Sequence, residues 1–189
     1  MSQEQIRLAV IVASTREGRF AETVSRWFTS QATLHDVQLD VIDLAHLALP
    51  NVHRSEPSPE IVEFTSRIGA ADAFVVVTCE YNHGYPASLK FAIDSVFDEW
   101  KAKPVGFVSY GGLSGGLRSV EQLRQVFAEL QAVTIRETVS FHLAHGQFDE
   151  DGQPHQAEAV NTAAKTFMEQ LLWWAHALRT ARQAVPYVG

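Results

Sequence analysis

The chain has 189 residues, 46% hydrophobic and 20% charged, with a formal net charge of −7. That length favours one domain, residues 1–189, with a core burying roughly 70% of the unfolded surface, and the composition excludes disorder and coiled coil. The acidic balance argues against nucleic acid as a partner, which needs a basic footprint, and the longest apolar runs fall far short of the roughly 20 residues a membrane helix requires.

Leu8 to Ala13 is short, apolar and β-branched, and reads as a strand buried on both faces. Phe20 to Ala32 carries Val24, Trp27 and Phe28 at helical spacing. Val37 to Ile42 alternates through Val37, Leu39 and Val41, the pattern of a second strand. Asn51 to Pro59 reads as a long surface loop. Glu60 to Ala71 has a helical stripe of Ile61, Phe64 and Ile68. Ala73 to Thr78 is the third strand. Pro86 suits the first turn of the next helix, whose apolar face of Leu89, Ile93, Val96 and Phe97 runs to Trp100. Pro104 to Tyr110 is the fourth strand. A helix with Val120, Leu123, Phe127 and Leu130 follows, then a fifth strand from Val133 to Phe141. Gly146 to Pro154 is a polar turn region. The last helix, about Glu158 to Arg182, places Phe167, Leu171, Trp174 and Leu178 on one face. Strands alternating with helices predict βαβ units and an α/β fold, with a parallel sheet covered on both faces.

In such sheets ligands bind beyond the carboxyl ends of the strands, where strand order reverses. Three loops there are unusual. Ser14-Thr15-Arg16-Glu17-Gly18-Arg19-Phe20 leads hydroxyls, guanidinium groups and a glycine into a helix N-terminus, a place suited to phosphate. It lacks the spacing of the dinucleotide fingerprint and the Gly-Lys pair of the P-loop; read by itself it fits a capped helix with solvated charges equally well. Glu80-Tyr81-Asn82-His83-Gly84-Tyr85 has side chains able to flank a planar ring, or to form a plain turn. Tyr110-Gly111-Gly112-Leu113-Ser114-Gly115-Gly116-Leu117-Arg118 lets backbone approach a ligand closely, or is a flexible loop. Together the three favour a flat, phosphate-bearing ligand.

These segments, with Pro86-Ala87-Ser88-Leu89-Lys90 and Ala92-Ile93-Asp94, resemble the NAD(P)H-dependent FMN reductase family, which includes bacterial quinone, chromate and azo-dye reductases. The resemblance covers residues 7 to 145 or so. It implies a flavodoxin-like three-layer sandwich with strand order 2-1-3-4-5. It implies that FMN is the cofactor and NADPH or NADH the electron donor. Ser14, Thr15, Arg16, Gly18, Arg19 and Phe20 would hold the phosphate. Glu80, Tyr81, Asn82 and His83 would border the isoalloxazine. Ser109, Tyr110, Gly111, Gly112, Gly115 and Gly116 would lie along its other side, with backbone donors stabilising the reduced ring. Tyr81 and Tyr85 would line the pocket for a small-molecule acceptor. The expected mechanism is ping-pong, with no catalytic side chain, because the flavin supplies the redox chemistry. A homodimer or homotetramer is implied, with the Leu89–Trp100 helix as dimerisation element. The chain departs from the family at Cys79 (often Pro), Arg19 and Ala21 (often Ser and Asn) and Phe91 (often Asn). The lost Ser and Asn contacts weaken the hold on FMN, and the charge of Arg19 offsets this.

Cys79 is the single cysteine, so no internal disulfide or multi-cysteine zinc site forms, and a reducing, cytoplasmic setting is expected. The polar stretch Met1 to Arg7 does not read as a signal peptide. No metal site is expected: His142 and His145 need not share a face, and Asp149-Glu150-Asp151-Gly152 lacks calcium-loop spacing. The Trp173-Trp174 pair reads as core plus interface. Two other functions compete. Gly112-Leu113-Ser114-Gly115-Gly116 fits a hydrolase nucleophile turn, with Asp149 and His155 following in order. A non-catalytic flavodoxin-type electron carrier is the second.

Overall fold

The computed structural model describes residues 5–50 and 52–188. Residues 1–4 of the polar N-terminal stretch, Asn51 of the surface loop and Gly189 lie outside them. Five parallel strands, β1 (Ile6–Val12), β2 (Val37–Asp43), β3 (Ala73–Cys79), β4 (Pro104–Tyr110) and β5 (Val133–Phe141), form one sheet in the order β2-β1-β3-β4-β5. The helices are α1 (Ala21–Ala32), α2 (Pro59–Ala70), α3 (Ala87–Asp94), α4 (Leu117–Glu129) and α5 (Ala157–Ala184). This is the flavodoxin-like arrangement.

Every residue of β3 and β4 is buried, and in β1 only Arg7 is exposed. These three strands are central and covered on both faces, which is why they are nearly continuous apolar runs. On one face, α1 and α5 close a core around Val10, Trp27, Phe28, Phe141, Phe167 and Leu171. On the other, α2, α3 and α4 pack Phe64, Ile93, Leu123 and Phe127 over Phe74 and Phe107 of the sheet. Gly106 marks an irregularity in the β4–β5 register between Val105 and Phe107. A Cβ there would come within 2.3 Å of Phe167 Cζ, so glycine lets α5 approach the sheet.

Three elements depart from expectation. The helix expected to reach Trp100 stops at Asp94, and a single 3-10 turn covers Asp98–Trp100. The break lets Trp100 turn inward. It is fully buried, lies 4.7 Å from Phe74 between ring centres, and its indole N–H donates to Val96 O at 3.1 Å. Phe97, expected on the apolar face, is 60% exposed, and Pro86 precedes the helix as its cap residue. In α5 the buried stripe is Ala164, Phe167, Met168, Leu171 and Ala175. Trp173 and Trp174 are both exposed, so the pair is not core. In β2 the alternation fails at Val41, which is exposed while Ile42 is buried.

Candidate active site

The loops after β1, β3 and β4 converge at the carboxyl edge of the sheet. Ala13 N–H donates to Val77 O at 3.0 Å, carrying the β1–β3 pairing one residue past the strand. Ser14 is then fully buried, while Thr15, Arg16, Glu17 and Gly18 are exposed. Gly18 takes φ +64°, and a Cβ there would meet nothing within 4 Å, so the need is conformational. Phe20 occupies the cap position of α1, and no side chain caps the helix. The first amides of α1 are thereby left for a ligand or water, and a helix start of this kind favours phosphate.

Arg19 has another occupation. Its guanidinium grips Asp43, at the end of β2, through two bonds of 2.6 and 2.5 Å, and also donates to Ser14 O. Its side chain is only 4% exposed. Burial alone would raise the Asp43 carboxyl; bonds from Arg19 and from Ala45 N–H outweigh it and hold the group below its ordinary value. The expectation that Arg19 lends its charge to an incoming phosphate is corrected: Asp43 already neutralises that charge, and Arg19 braces the loop.

After β3, Tyr81 and Gly84 exchange backbone bonds of 2.9 and 3.1 Å across Asn82 and His83. Both central residues have positive φ, 50° and 75°, the conformation of a tight type I′ turn. The turn presents Tyr81, 38% exposed, whose hydroxyl lies 2.7 Å from Ser14 Oγ. Tyr85 is half-buried against the second core. Cys79 is buried beneath; burial pushes its thiol up, so it stays protonated and unreactive. Burial and the neighbouring Cys79 likewise push the Tyr110 hydroxyl up.

Glu80 straps two loops together. One carboxylate oxygen accepts from Ser114 Oγ; the other accepts from Arg118 at 3.0 Å. In the loop after β4, Ser109 Oγ and Ser140 Oγ both donate to Gly115 O, at 2.9 and 2.8 Å. A Cβ on Gly115 would fall 2.7 Å from Ser140 Oγ, and one on Gly116 2.9 Å from Ser109 Cβ. These glycines let the loop fold onto its own strands. Gly112 alone in this loop has open space where a Cβ would be.

The expected site residues divide by exposure. Thr15, Arg16, Gly18, Asn82, His83 and Gly112 reach the surface, with Tyr81 beside them. Ser14, Ser109, Tyr110, Gly115 and Gly116 are buried behind them, and Phe20 and Gly111 are intermediate. Asp43, Arg118 and Ser88, whose hydroxyl donates to Ala13 O at 2.8 Å, also shape the site. Asp43 reads in the sequence only as the end of an alternating strand, and nothing in its spacing ties it to Arg19. The hydrolase reading fails on geometry. The Ser114 hydroxyl donates to Glu80, not to an imidazole, and Asp149 accepts from Gln153 N–H within its own turn.

The fold is of the flavodoxin-like class, and the three loops at the carboxyl edge of its sheet form the candidate site. The donor set suits FMN: an uncapped helix start for the phosphate, and beside it a tyrosine-bearing turn and a glycine loop. Residues 6–146 match the family described as NADPH-dependent FMN reductase, and the chain belongs to it. A fission yeast (Schizosaccharomyces pombe) NAD(P)H-dependent FMN reductase is 36% identical over 121 residues, 58% of this chain and 60% of that protein. The chain thus matches less than two thirds of that relative's length. An FMN-dependent NADPH-azoreductase of Staphylococcus haemolyticus is 29% identical over 175 residues, 86% of this chain and 92% of that one. Among solved structures, the flavoenzyme NAD(P)H:(acceptor) oxidoreductase FerB of Paracoccus denitrificans superposes with a TM-score of 0.73 at 20% identity. That match covers 91% of this chain and 98% of FerB and speaks for the fold.

Proposed function

We propose that the chain, acting as one FMN-binding domain, takes electrons from NADPH or NADH and passes them to a small acceptor in ping-pong order. The observation that carries this reading is the uncapped start of α1 lying beside the Tyr81–Gly84 turn and the glycine loop at one edge of the sheet. Bound FMN supplies the hydride chemistry. The exposed residues Thr15, Arg16 and Gly18 and the first α1 amides hold the phosphate. Asn82, His83 and the Gly112–Ser114 backbone border the ring edges, and Tyr81 lines the place that nicotinamide and acceptor occupy in turn. Ser14, Arg19, Ser109, Tyr110, Gly115 and Gly116 position these groups from behind, as does Glu80 through its strap. No side chain serves as catalytic acid or base.

The acceptor class is a quinone, azo compound, chromate or free flavin; the azoreductase relative supports the azo arm. We further place the protein in the cytoplasm, as a homodimer or homotetramer assembled through the 87–100 segment, where Phe97 is exposed. Steady-state oxidation of NADPH with a soluble quinone or azo dye, with no partner protein present, tests the proposal. Parallel double-reciprocal plots are expected. Turnover only with an added electron-transfer protein would contradict it. Light scattering tests the assembly.

A further inference from the structure

A cavity of about 350 Å³ lies at the opposite, amino-terminal edge of the sheet. Its walls come from the start of β1, the end of α2, the residue before β4 and the end of α5. With seven residues in each strand, this edge is ~20 Å from the candidate active site. Four cations line it, Arg7, Lys103, Arg179 and Arg182, against one carboxylate, Asp72. In a chain of net charge −7 with 15 Lys and Arg in all, that concentration needs a reason.

Asp72 is already shared. It accepts from Arg7 N–H at 3.1 Å and from Arg179 at 3.2 Å, and pairs with Arg182 at 3.5 Å. Lys103 is 92% buried by its 8% exposure and donates to Ile68 O and Gly69 O at 3.0 and 2.9 Å. An ammonium has three N–H groups, so one remains beyond those two bonds. The Arg7 guanidinium has no ion-pair partner among the described residues. Arg7, Lys103 and Arg182 therefore share one concavity in which the lining carboxylate, Asp72, is already divided between two arginines, while Glu99 acts on Lys103 from outside the lining. Lys103 is pushed down to about 8 by burial and then by Arg182, against the opposing pull of Asp72 and Glu99.

We infer that this cavity binds a small phosphate-class anion held by Arg7, Lys103 and Arg182. Guanidinium forks match the geometry of phosphate oxygens. No aromatic ring lines the cavity, so the anion is recognised by its charge and oxygens and not through a stacked nucleobase. The inference does not rest on the flavin reading.

Calorimetric titration of orthophosphate at constant ionic strength, with chloride as control, tests it on the intact protein with and without saturating FMN. Binding is expected in both states, because FMN occupies the other edge. Arg182→Gln should weaken it more than tenfold and Arg7→Gln several-fold, while Arg136→Gln, at an exposed position on β5, leaves it unchanged. Adenosine monophosphate should bind no more tightly than orthophosphate. Affinity should fall above pH 8 as Lys103 loses its proton. Arg7→Gln breaks no ion pair among the described residues, so it decides the matter if Arg182→Gln does not fold. No binding above the chloride control, binding untouched by both variants, or binding abolished by FMN would overturn the inference.

Discussion

Ser14 Oγ and Tyr81 OH lie 2.7 Å apart, although 67 residues separate them in the chain. This bond joins the end of β1 to the turn after β3 and fixes the one large aromatic side chain that the turn presents. A net hydrogen bond contributes about 1 kcal/mol. Tyr81→Phe should therefore weaken FMN binding about fivefold and leave the fold intact. Fluorescence titration of FMN against both proteins reads this; equal affinities would show that the bond does not shape the site.

The Arg19–Asp43 clamp makes a pH prediction. The folded-state value of Asp43 is held below its ordinary one, so the stabilisation is present above the ordinary carboxylate range and lost as pH falls through the lowered value. Wild-type melting temperature should drop on acidification below the ordinary Asp range more steeply than that of Asp43→Asn. Superimposable pH profiles would remove the clamp from the account.

Two glycines in one loop should respond oppositely to alanine. Gly116 sits at φ +82° with a Cβ site 2.9 Å from Ser109 Cβ, so Gly116→Ala should cost about 1–3 kcal/mol and displace the loop. Gly112→Ala meets open space and should leave the unfolding free energy within about 0.5 kcal/mol of wild type. Thermal unfolding of the pair decides whether the glycines serve loop packing.

Ser114→Ala removes one bond to Glu80 but leaves Arg118 in place. NADPH oxidation should fall by less than about tenfold, below the ~1.5–3 kcal/mol of a fully lost hydrogen bond to a charged group, because Arg118 still holds Glu80. Loss of an ester-hydrolysing activity in that variant would revive the hydrolase reading.

The central strands were legible because a fully covered parallel strand must be apolar throughout, as Phe74 to Val77 shows. The three site loops were legible because their compositions are odd and they fall at one sheet edge. Exposure within the loops was not. Gly115 and Gly116 suggest an open cradle in the sequence, but Ser109 and Ser140 fill the space behind them. Arg19 suggests a phosphate ligand, and only the tertiary fold brings Asp43 within 2.5 Å of it. Trp100 fits a helical stripe, yet its indole is better satisfied by Val96 O at the end of a broken helix.

The central claim concerns FMN held at the edge formed by the loops after β1, β3 and β4. Visible absorption of the FMN-loaded protein, followed anaerobically as NADPH is added, tests it most directly. The account predicts flavin bands that bleach stoichiometrically with NADPH and return when a quinone is admitted. Bands that persist until an artificial reductant is added would make the protein a carrier, and absence of flavin uptake at micromolar FMN would contradict the claim outright.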